Sequence, residues 1–179
     1  MRLGSAGSPA IGDAPALLTL TPQDIDLLIQ THSHIDHVGA LALFTCPILL
    51  TAAERANPQP LYFGTKRPMD WPDRDYRTIS ADTQICYGLT AILTPGHTNG
   101  HLSLLVTEPH PLMLTADAIN RATEPAEGSP DADDPATAAT SAARLFALAD
   151  QHQATLIFGH DPQQWRDLPK APNPLTLPR

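Results

Sequence analysis

The chain is 179 residues long, 42% hydrophobic and only 17% charged, which is enough apolar material for one domain with a real core. Its 11 Lys and Arg against 19 Asp and Glu leave a formal net charge of -8, which repels phosphate backbones and anionic lipid, so neither nucleic acid nor a membrane surface is expected as a partner. The longest apolar stretch, 40–53, is broken by Thr45, Cys46 and Pro47 and falls short of the roughly 20 residues of a membrane span. Two cysteines, Cys46 and Cys86, cannot build a disulfide framework and read as small core residues.

Residues 1–20 are rich in Gly, Ala and Pro and read as an irregular lead-in. Gly4, Gly7, Pro9, Gly12, Asp13 and Pro15 interrupt any apolar run there, so a secretory leader is not supported and the cytoplasm is the expected location. At 21–24 a Thr N-cap, a Pro at the first helical position and an acid at N3 start a helical turn, and 26–30 then reads as a buried strand ending at Thr31. Residues 47–50 form another short apolar run, after which Thr51 and Glu54 make a capping-box pattern that opens a helix.

Residues 58–78 mix Tyr62, Phe63, Trp71 and Tyr76 with Lys66, Arg67, Arg74 and Arg77, and read as an ordered excursion that packs its own aromatics or lines a cleft. The stretches 84–93 and 102–107 read as sheet strands, with Glu108-Pro109-His110-Pro111 as a hairpin turn before 112–114. The acidic stretch 121–134, with Pro125, Gly128 and Pro130, reads as a mobile surface loop. Asp134 and Pro135 then cap a helix with Ala138, Ala142, Leu145, Phe146 and Ala149 on one face, leading into the strand 155–158. Mixed strands and helices throughout give an α/β (α+β) class.

His32, His34 and His37 crowd into six residues with Asp36 among them. His32 and His34, two apart beyond a buried strand, can face one metal, and Asp36 and His37 can turn toward a second. Any one of these histidines alone is equally well read as a satisfied core or surface residue, but burying so many imidazoles without a metal is costly. His97 ends a strand inside a Pro/Gly turn, Asp117 ends another with a carboxylate able to bridge two cations, and His160 ends the last. All occupy C-terminal ends of strands, where α/β folds collect their sites. His101 reads as a partner of a ligand or as a strand-surface residue, His110 and His152 as exposed, and Asp161 as an orienter of His160 or a turn residue.

The order of these motifs, over roughly 21–165, resembles the metallo-β-lactamase-fold hydrolases. The resemblance implies an αββα sandwich in which His32, His34 and His97 bind one metal, Asp36, His37 and His160 a second, and Asp117 bridges them. Two Zn²⁺ are the expected cofactors, with Fe and Mn compatible with the same ligands. Within that superfamily, 114–118 together with 158–161 resembles the N-acyl-homoserine lactonases, which open the lactone ring of quorum-sensing signals. Water activated by the cations would then attack a lactone or ester carbonyl while Asp36 accepts and returns a proton.

Two departures stand out. Those lactonases place a Tyr that contacts the substrate carbonyl three residues after the bridging Asp; here that position is Asn120, an amide that donates a hydrogen bond but is no phenolic acid. Only 31 residues precede His32, so the chain reads as an N-terminally shortened relative with part of the first sheet missing, and bared strand edges would invite aggregation or a homodimer. Redox di-iron relatives carry Glu at the position of His34, which disfavours an oxidoreductase. The alternatives are a thioesterase similar to glyoxalase II, a β-lactamase-like enzyme, a non-catalytic fragment and, disfavoured by the acidic balance, a nuclease.

Overall fold

Several strand segments of this chain are apolar at consecutive positions, the pattern of strands covered on both faces. In the computed structural model, which describes residues 20–56, 71–170 and 173, such strands lie in two sheets. The first is parallel and runs β1 (Leu28–Ile29), β2 (Ile48–Thr51), β3 (Tyr76–Ile79), with Leu28 opposite Ile48 and Ile48 opposite Tyr76. The second is an antiparallel meander of β4 (Thr83–Cys86), β5 (Leu89–Leu93), β6 (Leu102–Val106) and β7 (Leu112–Ala116), to which β8 (Thr155–Phe158) adds in parallel beside β7. Five helices accompany them among the described residues: α1 (Ile35–Val38), α2 (Ala52–Arg55), α3 (Glu124–Glu127), α4 (Pro135–His152) and α5 (Pro162–Asp167).

Alternation along each strand distributes the apolar side chains over three cores. Ile48 joins Val38 and Leu41 under α1, with Leu28, Ile35, Trp71 and Tyr76 around them. Its neighbour Leu49 faces the other way and meets Ala91 and Leu102 between the sheets, alongside Ile29, Ile79 and Leu104. Ile92, Leu105 and Met113 pack against Ala142, Leu145 and Ala149 of α4. This is the helix–sheet–sheet–helix layering expected from the resemblance, and each wholly buried side chain such as Met113 or Leu145 contributes about 1.5–3 kcal/mol. No helix among the described residues is long and apolar enough to cross a membrane.

Local signals mostly produced the expected elements. Thr21 and Asp24 close a capping box around a 3-10 turn at Pro22–Asp24, and the Asp134 carboxylate accepts from Ala136 N and Thr137 N at 3.1 Å to start α4. The stretch 84–93 is a hairpin, not one strand, because the chain reverses at Tyr87-Gly88. Cys86 on the edge strand β4 is therefore exposed, while Cys46 is buried as expected. The stretch 121–134 contains α3 and a buried Glu124, so part of it is packed. Phe146 lies at the rim of the α4 face and is exposed; Ser141 takes a buried position instead. In the aromatic excursion, Trp71 and Tyr76 pack on the first sheet under the Arg55 guanidinium, which sits 4.3 Å from the Tyr76 ring centre. The lead-in up to residue 19, and Tyr62, Phe63, Lys66 and Arg67, lie outside the described residues.

Candidate metal centre

The centre forms where β1, β5, β7 and β8 end. Beyond β1, Gln30 Nε2 donates to His32 O at 3.1 Å, and Leu102 N donates to Thr31 O at 3.0 Å, tying the histidine segment to the start of β6. His34 is the N-cap of α1, so the chain changes from extended to helical there, and Asp36 and His37 fall on the helix. The His97 turn is held from α4: Ser141 Oγ donates to Pro95 O at 2.7 Å and Asp134 N to Gly96 O at 3.0 Å. Gly96 has φ of 132°, and a Cβ there would stand 2.2 Å from Ala138 N, so only glycine fits.

At the end of β7, Ala116 adopts φ of 45°, a left-handed conformation costing a non-glycine residue about 1–2 kcal/mol. Beside it the single hydroxyl hydrogen of Thr115 is shared between Ile119 O at 2.9 Å and Ile157 O at 3.0 Å, tying the end of β7 to the following turn and to β8. That bend aims Asp117 into the cluster. Beyond β8, His160 N donates to Asn120 O at 3.0 Å and Gly159 N to Ile119 O at 3.1 Å, so the segments after β7 and β8 carry their side chains together.

The seven residues singled out in the sequence meet as two groups: His32, His34, His97 and Asp117, largely buried, and Asp36, His37 and His160, more exposed. In the first, His34 Nδ1 lies 3.1 Å from His32 Nε2 and 2.9 Å from His97 Nε2. Asp117 touches both groups: Oδ2 is 3.3 Å from His97 Nε2 and 3.3 Å from His160 Nε2, and Oδ1 is 3.2 Å from His37 Nε2. Asp36 Oδ2 lies 3.4 Å from His160 Nε2 and 3.5 Å from His37 Nε2.

These residues fit a bound cation pair. Three imidazole nitrogens converging on one point cannot all be satisfied by one another, because a shared proton pairs only two of them. Ligand nitrogens about 2.0–2.1 Å from a tetrahedral zinc stand roughly 3.3 Å apart, close to the spacings found. His37 Nε2 and Asp117 Oδ1 are also buried, and although 3.2 Å apart they make no well-aligned hydrogen bond with each other or with any other group.

Protonation agrees. Burial first, then the neighbouring rings of His101, His37, His97 and His34, pushes His32 well below the usual histidine range; burial likewise lowers His97 against the pull of Asp117. Burial would raise Asp117, but the His37, His160 and His97 rings outweigh it and hold it at about 2. His37 is raised, burial being overcome by Asp117 and Asp36. The His32 and His97 rings are thus neutral and the shared carboxylate ionised, the states in which these side chains bind cations.

Other residues find definite places. His101 is wholly buried, its Nε2 accepting from Asp117 N at 3.1 Å, which settles the choice against a strand-surface role; burial pushes it down to about 3. Asp161 caps α5, accepting from Gln163 N and Gln164 N at 2.9 Å, and takes Ala122 N at 3.3 Å. His110 is exposed and His152 half-buried. Asn120 sits at the rim with its Nδ2 donating to Glu124 Oε1 at 3.3 Å and its backbone N–H to Glu124 Oε2.

Two buried acids went unnoticed in the sequence. Glu124 lies in what reads as a loop. Glu54 looks like the returning member of a capping box, yet its carboxylate is buried and accepts from Thr98 Oγ1 at 2.7 Å, bracing the His97 turn, while Thr51 Oγ1 alone accepts at the helix N-terminus. A cavity of about 360 Å³ opens beside His160, lined by Phe158, Trp165 and Leu168 among others.

The model of the metallo-beta-lactamase superfamily matches residues 4–160. The chain belongs to this superfamily. An N-acyl homoserine lactonase, AttM, of Rhizobium radiobacter is 33% identical over 171 residues, covering 87% of this chain and 65% of the relative. An N-acyl homoserine lactonase of a Bacillus species is 34% identical over 149 residues, covering 81% of this chain and 59% of the relative. Among solved structures, an N-acyl homoserine lactone hydrolase with N-hexanoyl-L-homoserine at its catalytic metal centre superposes with a TM-score of 0.78 at 26% identity, over 91% of this chain and 66% of the other. This superfamily member spans less than two thirds of the length of those relatives.

Proposed function

We propose that the chain carries the two-metal centre of a hydrolase that opens lactone rings, with N-acyl-homoserine lactones as the substrate class and zinc as the metal. One observation carries the reading: a single buried carboxylate, Asp117, faces histidines of both donor groups at 3.2–3.3 Å. The substrate class rests on relatives 33% and 34% identical that are N-acyl homoserine lactonases. The histidine and carboxylate donors suit zinc.

In this reading His32, His34 and His97 hold one cation, Asp36, His37 and His160 the other, and Asp117 spans them. Bound there, the metals would supply Lewis acidity, polarising a carbonyl and making water reactive near neutral pH. Asp36, with 53% of its side chain exposed and its Oδ2 beside His160, is placed to take a proton as water adds and to return it to the departing ring oxygen. The products balance as the lactone plus one water, giving the open hydroxy acid. Asn120 could meet the substrate with its amide by giving up its contact to Glu124, and the cavity beside His160 offers apolar wall to an acyl chain. Neither a serine nor a cysteine nucleophile is needed.

The test is elemental analysis of the purified chain, followed on the same sample by lactone and thioester hydrolysis. About two zinc ions per chain with lactone turnover is the expected result. Zinc-loaded protein that cleaves only the thioester, or neither compound, overturns the substrate assignment; a monodisperse chain that takes up no metal overturns the centre.

A further inference from the structure

We propose that His101, Thr94 and Ser103 form a one-way hydrogen-bond relay that holds Asp117 at its working angle, with His101 as a positioning residue. The relay begins and ends on backbone groups whose roles are fixed, since an N–H only donates and a carbonyl only accepts. At one end Asp117 N donates to His101 Nε2 at 3.1 Å, so Nε2 is the bare nitrogen and Nδ1 bears the hydrogen. That hydrogen goes to Thr94 Oγ1 at 2.8 Å. The Thr94 hydroxyl then donates to Ser103 Oγ at 2.9 Å, and Ser103 to Thr115 O at 2.8 Å. Every proton is thereby placed and the tautomer of His101 is determined.

The two anchor points, Thr115 and Asp117, flank Ala116, the residue in the left-handed conformation. The relay is therefore a clamp across the bend that turns the Asp117 carboxylate toward the histidines. His101, Thr94, Ser103 and Thr115 are all fully buried, so water does not substitute for any link. The geometry also explains why His101, its ring centre only 5.1 Å from that of His32, stands outside both donor groups: its two nitrogens are already committed. A residue that merely filled this space would need no nitrogen at either end.

The consequence for metal binding rests on the proposed function, but the tautomer does not. Long-range nitrogen–proton correlation NMR on the metal-free, histidine-labelled chain should show His101 protonated at Nδ1 and bare at Nε2; the opposite tautomer overturns the relay. In titrations with zinc alone, H101F, which keeps the ring volume, should lose about 10- to 100-fold in affinity while its circular dichroism stays native. Folded H101F with unchanged affinity overturns the positioning role. S103A breaks the relay's far end with a smaller change and serves if H101F does not fold: a loss of at least about threefold, restored by S103T, supports the role, and no loss overturns it. A wild-type chain that takes up no zinc defeats the metal-centre reading, while the relay still stands or falls on the tautomer.

Discussion

The two halves of the donor cluster are built differently. His32, His97 and Asp117 are buried and braced from elsewhere: Gln30 onto the His32 carbonyl, Glu54 and α4 onto the His97 turn, His101 onto the Asp117 backbone. Asp36 and His160 have side chains 53% and 48% exposed, and they stand on a four-residue helix and on the segment past β8. Burial keeps the deep rings neutral, so a cation entering there displaces few protons. The open half keeps contact with bulk water, which a group that must exchange protons requires. Under the proposed function the difference implies a division of labour: the deep half would hold, and the open half would react.

The harshest test of that division is the residue common to both halves. Asp117→Asn removes the charge and keeps the shape; both metals should be lost or weakened, and hydrolysis should fall on the order of 10³-fold or more. If elemental analysis found both metals at full occupancy in this variant, the two halves would be independent sites and the comparison would break. Next come single ligands. His97→Ala should remove the tighter metal and cost stability as well, since it opens a cavity in a buried cluster. His160→Ala should leave about one metal per chain and lower the melting temperature less than His97→Ala does, with turnover down more than about 100-fold. Equal effects of the two variants on melting would show that depth does not distinguish the halves. Metal removal reads the same contrast on the wild type: at a free zinc concentration about 100 times the dissociation constant, binding adds about 2.7 kcal/mol of stability. Chelation should therefore lower the melting temperature of the wild type by several degrees, and that of His97→Ala by much less.

How much of this was legible in the sequence follows from sequence distance. His32, His34, Asp36 and His37 are adjacent, so their shared purpose shows in a single glance at composition. His97, Asp117 and His160 are legible because each follows a strand, and strand ends gather in space. The bracing residues are only partly so: His101 reads either as a ligand's partner or as a surface residue, and Glu54 only as a helix cap. Glu54 meets Thr98 across 44 positions, and His101 meets Asp117 across 16, so their burial is decided by tertiary packing that no local pattern encodes. The hairpin at Tyr87-Gly88 was hidden because apolar character continues through both of its arms. The exposure of Cys86 is hidden with it, since which face of an edge strand is covered depends on the register of its partner.

A smaller effect is expected where the segments carrying the two halves touch. Gly159 lies against the Ala116 carbonyl, and a methyl there would stand 2.5 Å from that oxygen and 3.0 Å from Asp117 Oδ1. Gly159→Ala should cost about 1–3 kcal/mol in denaturant unfolding. Because the strain falls on the shared carboxylate and on the segment carrying His160, turnover should drop further than stability alone explains; a variant that unfolds earlier but turns over normally would separate Asp117's aim from the β7–β8 contact.

The mildest change concerns the rim. Glu124 accepts the backbone and side-chain N–H groups of Asn120, and Asn120 in turn accepts His160 N, so one buried carboxylate indirectly fixes the open half. In Glu124→Gln one acceptor oxygen becomes an NH₂, which then faces an N–H of Asn120 and leaves a buried donor unpaired, a cost of about 1–3 kcal/mol. The deep half does not touch this pair, so the tighter metal should bind unchanged. Whatever turnover is lost, less than about tenfold, should appear in kcat or KM according to whether Asn120 serves His160 or the substrate. A fall in kcat at constant KM, with the weaker metal binding less tightly, assigns Asn120 to holding His160; a rise in KM with both metals bound as before assigns its amide to the lactone.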